Sequence, residues 1–180
     1  MNSCSICLGE YLPKYKTQKT CLDPICKKEN KRQEARARAD RRETKARQEK
    51  LKRPSDWKRD LQTIFNKFIR IRDEQEPCIS CGRHHTGQYH AGHYRSVGSS
   101  PELRFNELNC HKQCSVCNNH LSGNLINYRI NLIKKIGLAS VEYLEGKHEP
   151  LKIDGEGCKR FIEYYKLKIK QLEAERLNGR

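Results

Sequence analysis

The stretch AGHYRSVGSSPELRFNELNCHKQCSVCNNH, residues 91–120, decides how this chain is read. It holds three histidines, four asparagines and three cysteines. Two of those cysteines, Cys114 and Cys117, form a C-x-x-C pair, and Cys78 and Cys81 form a matching pair upstream in CISCG. A structural zinc site takes four tetrahedral ligands, and two C-x-x-C pairs supply them as thiolates. Gly82, directly after the second cysteine, allows the tight turn that aims both sulfurs at one ion. Cys110 competes with Cys114 as a ligand. Cys114 is preferred, because C-x-x-C at a helix start puts both thiolates on one turn.

Working outward, GRHHTGQYHAGHYRS (residues 82–96) alternates weakly and has glycines at turn positions, which predicts a β-hairpin. NNHLSGNLINYRI, after the second pair, turns helical. Knuckle, hairpin, and a helix opening at the second C-x-x-C is the order of a treble clef.

Of the 180 residues, only 35% are hydrophobic and 33% are charged, so small modules joined by solvated helices fit better than one large core. The formal charge of +15 suits a polyanion, nucleic acid first. No run approaches the roughly 18 apolar residues of a spanning helix, and MNSCSICLGE does not read as a signal peptide. Ten cysteines without a secretion signal read as zinc ligands in a reducing compartment, not as a disulfide framework. The expected class is α+β: zinc-stabilised modules joined and flanked by helices.

Four segments follow. In residues 1–26, Cys4, Cys7, Cys21 and Cys26 form a second zinc set, with Asp23-Pro24 as a turn between the last two. Residues 27–53 hold 13 basic and 5 acidic residues and no large apolar residue except Leu51, which reads as a solvated basic helix able to track phosphates. Residues 54–137 begin with Pro54-Ser55, Ser55 being the expected N-cap. Trp57, Leu61, Ile64, Phe65, Phe68 and Ile69 follow at helical spacing over about residues 56–73. The dense module comes next, then a helix from Leu125 that ends near Gly137. Residues 138–180 contain a glycine-rich loop at 145–157 and a helix from about Cys158 to Leu177. Cys158 has no ligand-spaced neighbour.

Zinc leaves polar residues over. Hydrolysis of a phosphodiester needs a base for water and a cation for the charge on phosphate and leaving oxygen. His93, neutral near pH 7, suits the base. Asn109 can orient that ring, and Asn118 offers an oxygen to a hard divalent ion. The order of His93, Asn109 and Asn118 around a zinc treble clef resembles the HNH nuclease superfamily, the ββα-metal fold. PCISCGRHH, AGHYR, PELRF, LNCHKQC and CNNHLSGN further resemble the NinG/Rap family of lambdoid phages over nearly the whole chain.

That resemblance implies a structure-specific endonuclease of phage homologous recombination, cutting branched DNA such as Holliday junctions and D-loops to leave a 5′-phosphate. It implies His93 as catalytic histidine, Asn109 as the central asparagine, Asn118 as a ligand of a catalytic Mg2+ or Mn2+, and two structural Zn2+. Many HNH sites carry an aspartate before the catalytic histidine; here that position is Gly92. His90 or His120 can substitute as ligand. His90, three residues from His93, falls on the opposite strand face, so His120, one helical turn past Cys117, is preferred. His84 and His85 read as an exposed turn. Arg83, Arg95, Arg104 and Lys112 are the expected DNA contacts. The expected setting is host bacterial cytoplasm, with DNA and a second copy of the chain as expected partners, no membrane and no small-molecule substrate. A noncatalytic branched-DNA-binding zinc protein is the alternative, and RNA binding a weaker one.

Overall fold

In a computed structural model, which describes residues 1–178, the chain forms two compact units, one over Met1–Lys52 and one beginning at Arg53. It is α+β, with two small two-stranded antiparallel sheets among helices.

In the first unit, β1 (Asn2–Ser3) pairs with β2 (Glu10–Tyr11). The turn between them is a knuckle: the Cys4 amide donates to the Gly9 carbonyl and the Leu8 amide to the Cys4 carbonyl, both at 2.9 Å. Leu8 takes a positive φ of 62° to close it. α1 (Pro24–Lys50) starts where Asp23 caps it, its side chain accepting from the Ile25 and Cys26 amides, with Pro24 in the first turn. Cys26 is thereby fixed on a helix start rather than in a loop. Cys26 is also the sole buried residue of this helix. Beyond it α1 has no apolar stripe to pack, as its composition predicts.

The second unit opens with α2 (Pro54–Arg72). Ser55 is not its N-cap: Arg53 is, the helix begins two residues earlier than expected, at Pro54, and the Asp56 carboxylate accepts from the Arg53 amide at 3.0 Å. Leu61, Phe65, Phe68 and Ile69 bury one face against Ile162, Tyr165 and Ile169 of α5 (Gly155–Asn178). Cys158 is buried in this core, and residues 138–180 thus share a unit with 54–137. A second core gathers Ile79, Tyr94 and Leu103 with Tyr128 and Leu132 of α3 (Leu125–Ile136) and Val141 and Leu144 of α4 (Leu138–Glu145). α4 was not legible in the sequence; Gly137, at φ 83°, turns the chain from α3 into it.

The hairpin is not within residues 82–96. Only β3 (Tyr89–His93) lies there, and its partner is β4 (Cys110–Cys114), with His93 opposite Cys110 and Gly92 opposite His111. The second strand runs directly into the second cysteine pair, so residues 94–109 form a long connection closed by two 3₁₀ turns. A short π-helical turn, Val116–His120, follows β4 and leads to α3.

The end of α2 is clamped to β4. Arg72 pairs with Asp73 at 2.8 Å and donates to the Glu107 and Cys110 carbonyls. Asp73 accepts from the Lys112 amide and faces His111. Burial alone would raise the Asp73 pKa, but hydrogen bonds from His111 and Arg72 outweigh it and hold the carboxyl far below its usual range.

Candidate functional site

Two groups of four cysteines come together, Cys4, Cys7, Cys21 and Cys26 in one unit and Cys78, Cys81, Cys114 and Cys117 in the other, with ligand sulfurs all within 4.8 Å of one another. A zinc tetrahedron with Zn–S near 2.3 Å has edges of roughly 3.8 Å. Cys7 and Cys21 sulfurs stand 3.9 Å apart, which fits. Both groups could hold zinc. The two knuckles share one backbone pattern: in the second, the Cys78 amide donates to the Arg83 carbonyl and the Gly82 amide to the Cys78 carbonyl, with Gly82 at φ 67°. Amides of Cys114 and Cys117 and the Asn124 side chain donate to sulfurs of the second group. Cys110 stays outside it, buried, its thiol pushed up in pKa by desolvation. His85 lies on the exposed turn but brings its Nε2 to 3.1 Å from the Cys81 sulfur.

The second cysteine group lies at the end of the hairpin where Tyr89 pairs with Cys114, and His93, the last residue of β3, sits at the other end opposite Cys110. Its Nε2 meets the Arg104 carbonyl at 2.8 Å. A carbonyl only accepts, so this contact fixes Nε2 as the protonated nitrogen and leaves a lone pair on Nδ1. The nearest partner of Nδ1 is the Cys110 sulfur at 3.8 Å, a weak contact. Burial lowers the His93 pKa, the Arg104 carbonyl opposing it in part. The ring is therefore neutral at pH 7.

A cleft of about 380 Å3 is lined by His93, Tyr94, Ser96, Val97, Asn118 and Ser122, among others. His93 and Asn118, 25 positions apart, are thus brought to one cleft. Tyr94 is held there by Glu145, which also takes a two-point contact from Arg129 at 2.7 and 3.1 Å. Hydrogen bonds from Arg129 and Tyr94 draw the Glu145 pKa down to about 2.

Several expected residues stand elsewhere. Asn109 is fully buried, and its side chain bonds to backbone groups other than those of His93. Its Oδ1 accepts from the Arg95 amide at 2.8 Å, and its Nδ2 donates to the Arg95 and Leu103 carbonyls at 3.0 and 3.2 Å. Asn109 therefore braces the connection that carries Arg104, and its own carbonyl accepts from the Tyr94 amide at 2.8 Å, next to the histidine. His120 is exposed and does not line the cleft. His90 lies near exposed Asn119, 3.5 Å away. Lys112 turns inward: it is 6% exposed, donates to the Glu74 carbonyl at 2.7 Å and lies over the Tyr89 ring. Arg83 is exposed. Arg95 Nε is buried with no partner, and the Arg104 side chain leaves the cleft for α2, where Nε donates to Gln62 Oε1 at 2.6 Å.

The absent carboxylate at residue 92 has a steric cause that the sequence did not reveal. A Cβ on Gly92 would stand 2.1 Å from Gln113 Oε1 and 2.9 Å from Gln113 Cβ. Gln113 is buried and fixed, its Nε2 donating to Ser80 Oγ and the Gly123 carbonyl, both at 2.6 Å. No side chain fits at position 92 while Gln113 is there. The donors at the cleft are then an amide oxygen and an imidazole, without a carboxylate. Magnesium prefers several oxygens and keeps its waters. This set suits an ion shared with substrate phosphates more than a resident one.

A family model described as Bacteriophage Lambda NinG protein matches residues 2–175. Protein ninG of Salmonella phage P22 is 47% identical over 126 residues, 70% of this chain and 62% of its own length. Protein ninG of Escherichia phage lambda gives the same figures, and that of Escherichia phage 933W is 45% identical over 70% of this chain and 63% of its own length. The match thus spans just over three-fifths of these curated relatives. No solved structure matches.

Proposed function

The chain belongs to the bacteriophage NinG family, and we propose that it is a structure-specific DNA endonuclease of HNH type that cuts branched recombination intermediates such as Holliday junctions and D-loops. The observation that carries the reading is His93: a neutral ring, pinned at Nε2 by a backbone carbonyl, in one cleft with Asn118 beside a four-thiolate cluster. A base poised this way needs no reorganisation before it takes a proton.

In this mechanism His93 Nδ1 takes a proton from the attacking water as its oxygen bonds to phosphorus. The P–O3′ bond breaks, the leaving oxygen takes a proton from solvent, and the products carry a 5′-phosphate and a 3′-hydroxyl. Asn118 orients the phosphate or a water in the cleft. A divalent ion bound with the substrate supplies charge stabilisation there. The zinc clusters shape the hairpin and the N-terminal finger and take no chemical part. Tyr94, tied to Glu145, forms one wall. The protein is phage or prophage encoded and works in the host cytoplasm, and a symmetric junction cut calls for two copies of the chain.

The noncatalytic reading, a zinc protein that binds branched DNA for recombination, gains from one observation: Gln113 leaves no room for a carboxylate at residue 92. Labelled Holliday junction, D-loop and linear duplex, incubated with wild type and His93→Ala in magnesium, manganese or no added metal, separate the two. The endonuclease reading expects branch cleavage lost in the variant with binding kept. Equal binding by both and cleavage by neither supports the second reading. Sedimentation of the protein with and without junction DNA tests the dimer.

A further inference from the structure

A groove of about 520 Å3, larger than the His93 cleft, lies on the outward face of α2. Leu61, Phe65 and Phe68 turn that helix inward, and Lys58, Arg59, Gln62 and Asn66 line the groove on its other side with Arg53 and Arg104. Four cations meet there with one carboxylate, Asp56, which pairs with Arg53 and Arg59. Among the described residues, neither Lys58 nor Arg104 enters an ion pair.

Arg104 is held in a fixed direction. Its Nε donates to Gln62 Oε1 at 2.6 Å, and Gln62 in turn donates to Asn66 Oδ1 at 2.7 Å. The guanidinium lies over the Phe105 ring, 5.6 Å from its centroid, and its two Nη groups can donate to two oxygens of one anion, the geometry that favours arginine at phosphate oxygens. The same residue accepts from His93 Nε2 through its carbonyl. One residue therefore joins the groove to the histidine.

We propose that this groove is a second phosphate site, which takes a backbone phosphate of DNA away from the scissile bond through Lys58 and the Arg104 fork. Arg53 and Arg59 have side chains 79% and 73% exposed, so the site is an open track suited to a polymer and not an enclosed pocket for a small anion. A strand held there has its register set against His93, because Arg104 is common to both. The inference rests on the DNA-binding part of the proposal above and is independent of cleavage.

The test uses the full zinc-loaded chain without magnesium or manganese, so that cleavage does not enter. Fluorescence anisotropy gives the affinity for a labelled four-way junction over roughly 50 to 200 mM salt. Three variants accompany wild type: Lys58→Gln with Arg104→Gln, a control pair on α5, Lys166→Gln with Lys170→Gln, and Thr63→Lys, which adds a cation to the groove. Each lost phosphate contact lowers the slope of log K against log salt by about 0.9. The groove pair is expected to lose between about 1 and 2 in slope, the control pair almost nothing, and Thr63→Lys to gain about 1. Equal loss in both pairs would mean that net charge alone acts and would overturn the site. So would an unchanged slope in Thr63→Lys, or an effect seen on RNA of the same form and not on DNA. Because the readout is binding, a failure here leaves the cleavage reading untouched, and an absence of cleavage leaves this test intact.

Discussion

Replacing Asn109 by alanine tests how the candidate site is held together. The amide makes three hydrogen bonds, one accepted from the Arg95 amide and two donated to the Arg95 and Leu103 carbonyls, and the side chain is fully buried. Alanine leaves all three backbone groups without that partner. A buried polar group left unsatisfied costs about 1 to 3 kcal/mol. Arg95 is only half-buried, so water can replace part of the loss at its two groups, whereas the bond to the Leu103 carbonyl is buried. A total of about 3 kcal/mol follows, at the upper end of ordinary single substitutions. With a urea m-value of about 1.5 to 2 kcal/mol/M for a unit of this size, the midpoint should fall by between about 1.5 and 2 M. Zinc must be held at one free concentration, since any ion bound only to the folded state adds to the measured stability. Hydrogen exchange should show the amides of residues 94–104 opening before those of α2 and α5. Cleavage should fall with the loss of order at Arg104, whose carbonyl holds His93. Asn109→Asp keeps the acceptor for the Arg95 amide but turns a carboxylate toward two carbonyls, so it should be no more stable than alanine. A variant as stable as wild type yet inactive would refute the bracing role and return Asn109 to direct contact with the histidine or substrate.

The other predictions concern sterics, zinc and protonation. Gly92→Ala should destabilise by about 2 kcal/mol or more through the clash with Gln113, and Gly92→Ala with Gln113→Ala should recover part of it, as chemical denaturation of the three proteins would show. Metal analysis should find two zinc ions per chain, and a chelator should abolish structure in residues 1–26 first, because that segment has two-residue strands and no apolar core of its own; near-complete retention of its amide protection without metal would contradict this. The pH profile of kcat/KM should rise with the neutral form of His93. Since burial lowers its pKa, the acid limb should centre below the ordinary histidine value of about 6.5; a limb centred above that value would assign it to another group.

Cysteine spacing carried most of what was legible. C-x-x-C pairs declare themselves because zinc fixes both residue type and separation, and both four-cysteine groups assemble as the spacing predicts. The α2 stripe was equally plain, since Leu61, Phe65, Phe68 and Ile69 repeat at the helical period and form the α5-facing core. The hairpin was misplaced because its strands are paired across residues 94–109, and a period of two over five residues is too weak to show which distant segment is the partner. Asn109 and Lys112 were read for their functional groups, but their roles are set by burial, which local sequence does not record. Gln113, Arg72 and Asp73 gave no signal at all. Each acts through residues 20 or more positions away, Gln113 against Gly92 and the Arg72–Asp73 pair against β4.

Whether His93 is the base of a nuclease is decided by single-turnover cleavage of an end-labelled Holliday junction by wild type and His93→Ala, with manganese present and junction affinity determined in parallel. Loss of a general base costs typically 10² to 10⁴ in rate. The rate in the variant should fall by about that factor, with affinity changed less than about threefold. Cleavage at the wild-type rate by His93→Ala, or its absence in both proteins while both bind the junction, would contradict it.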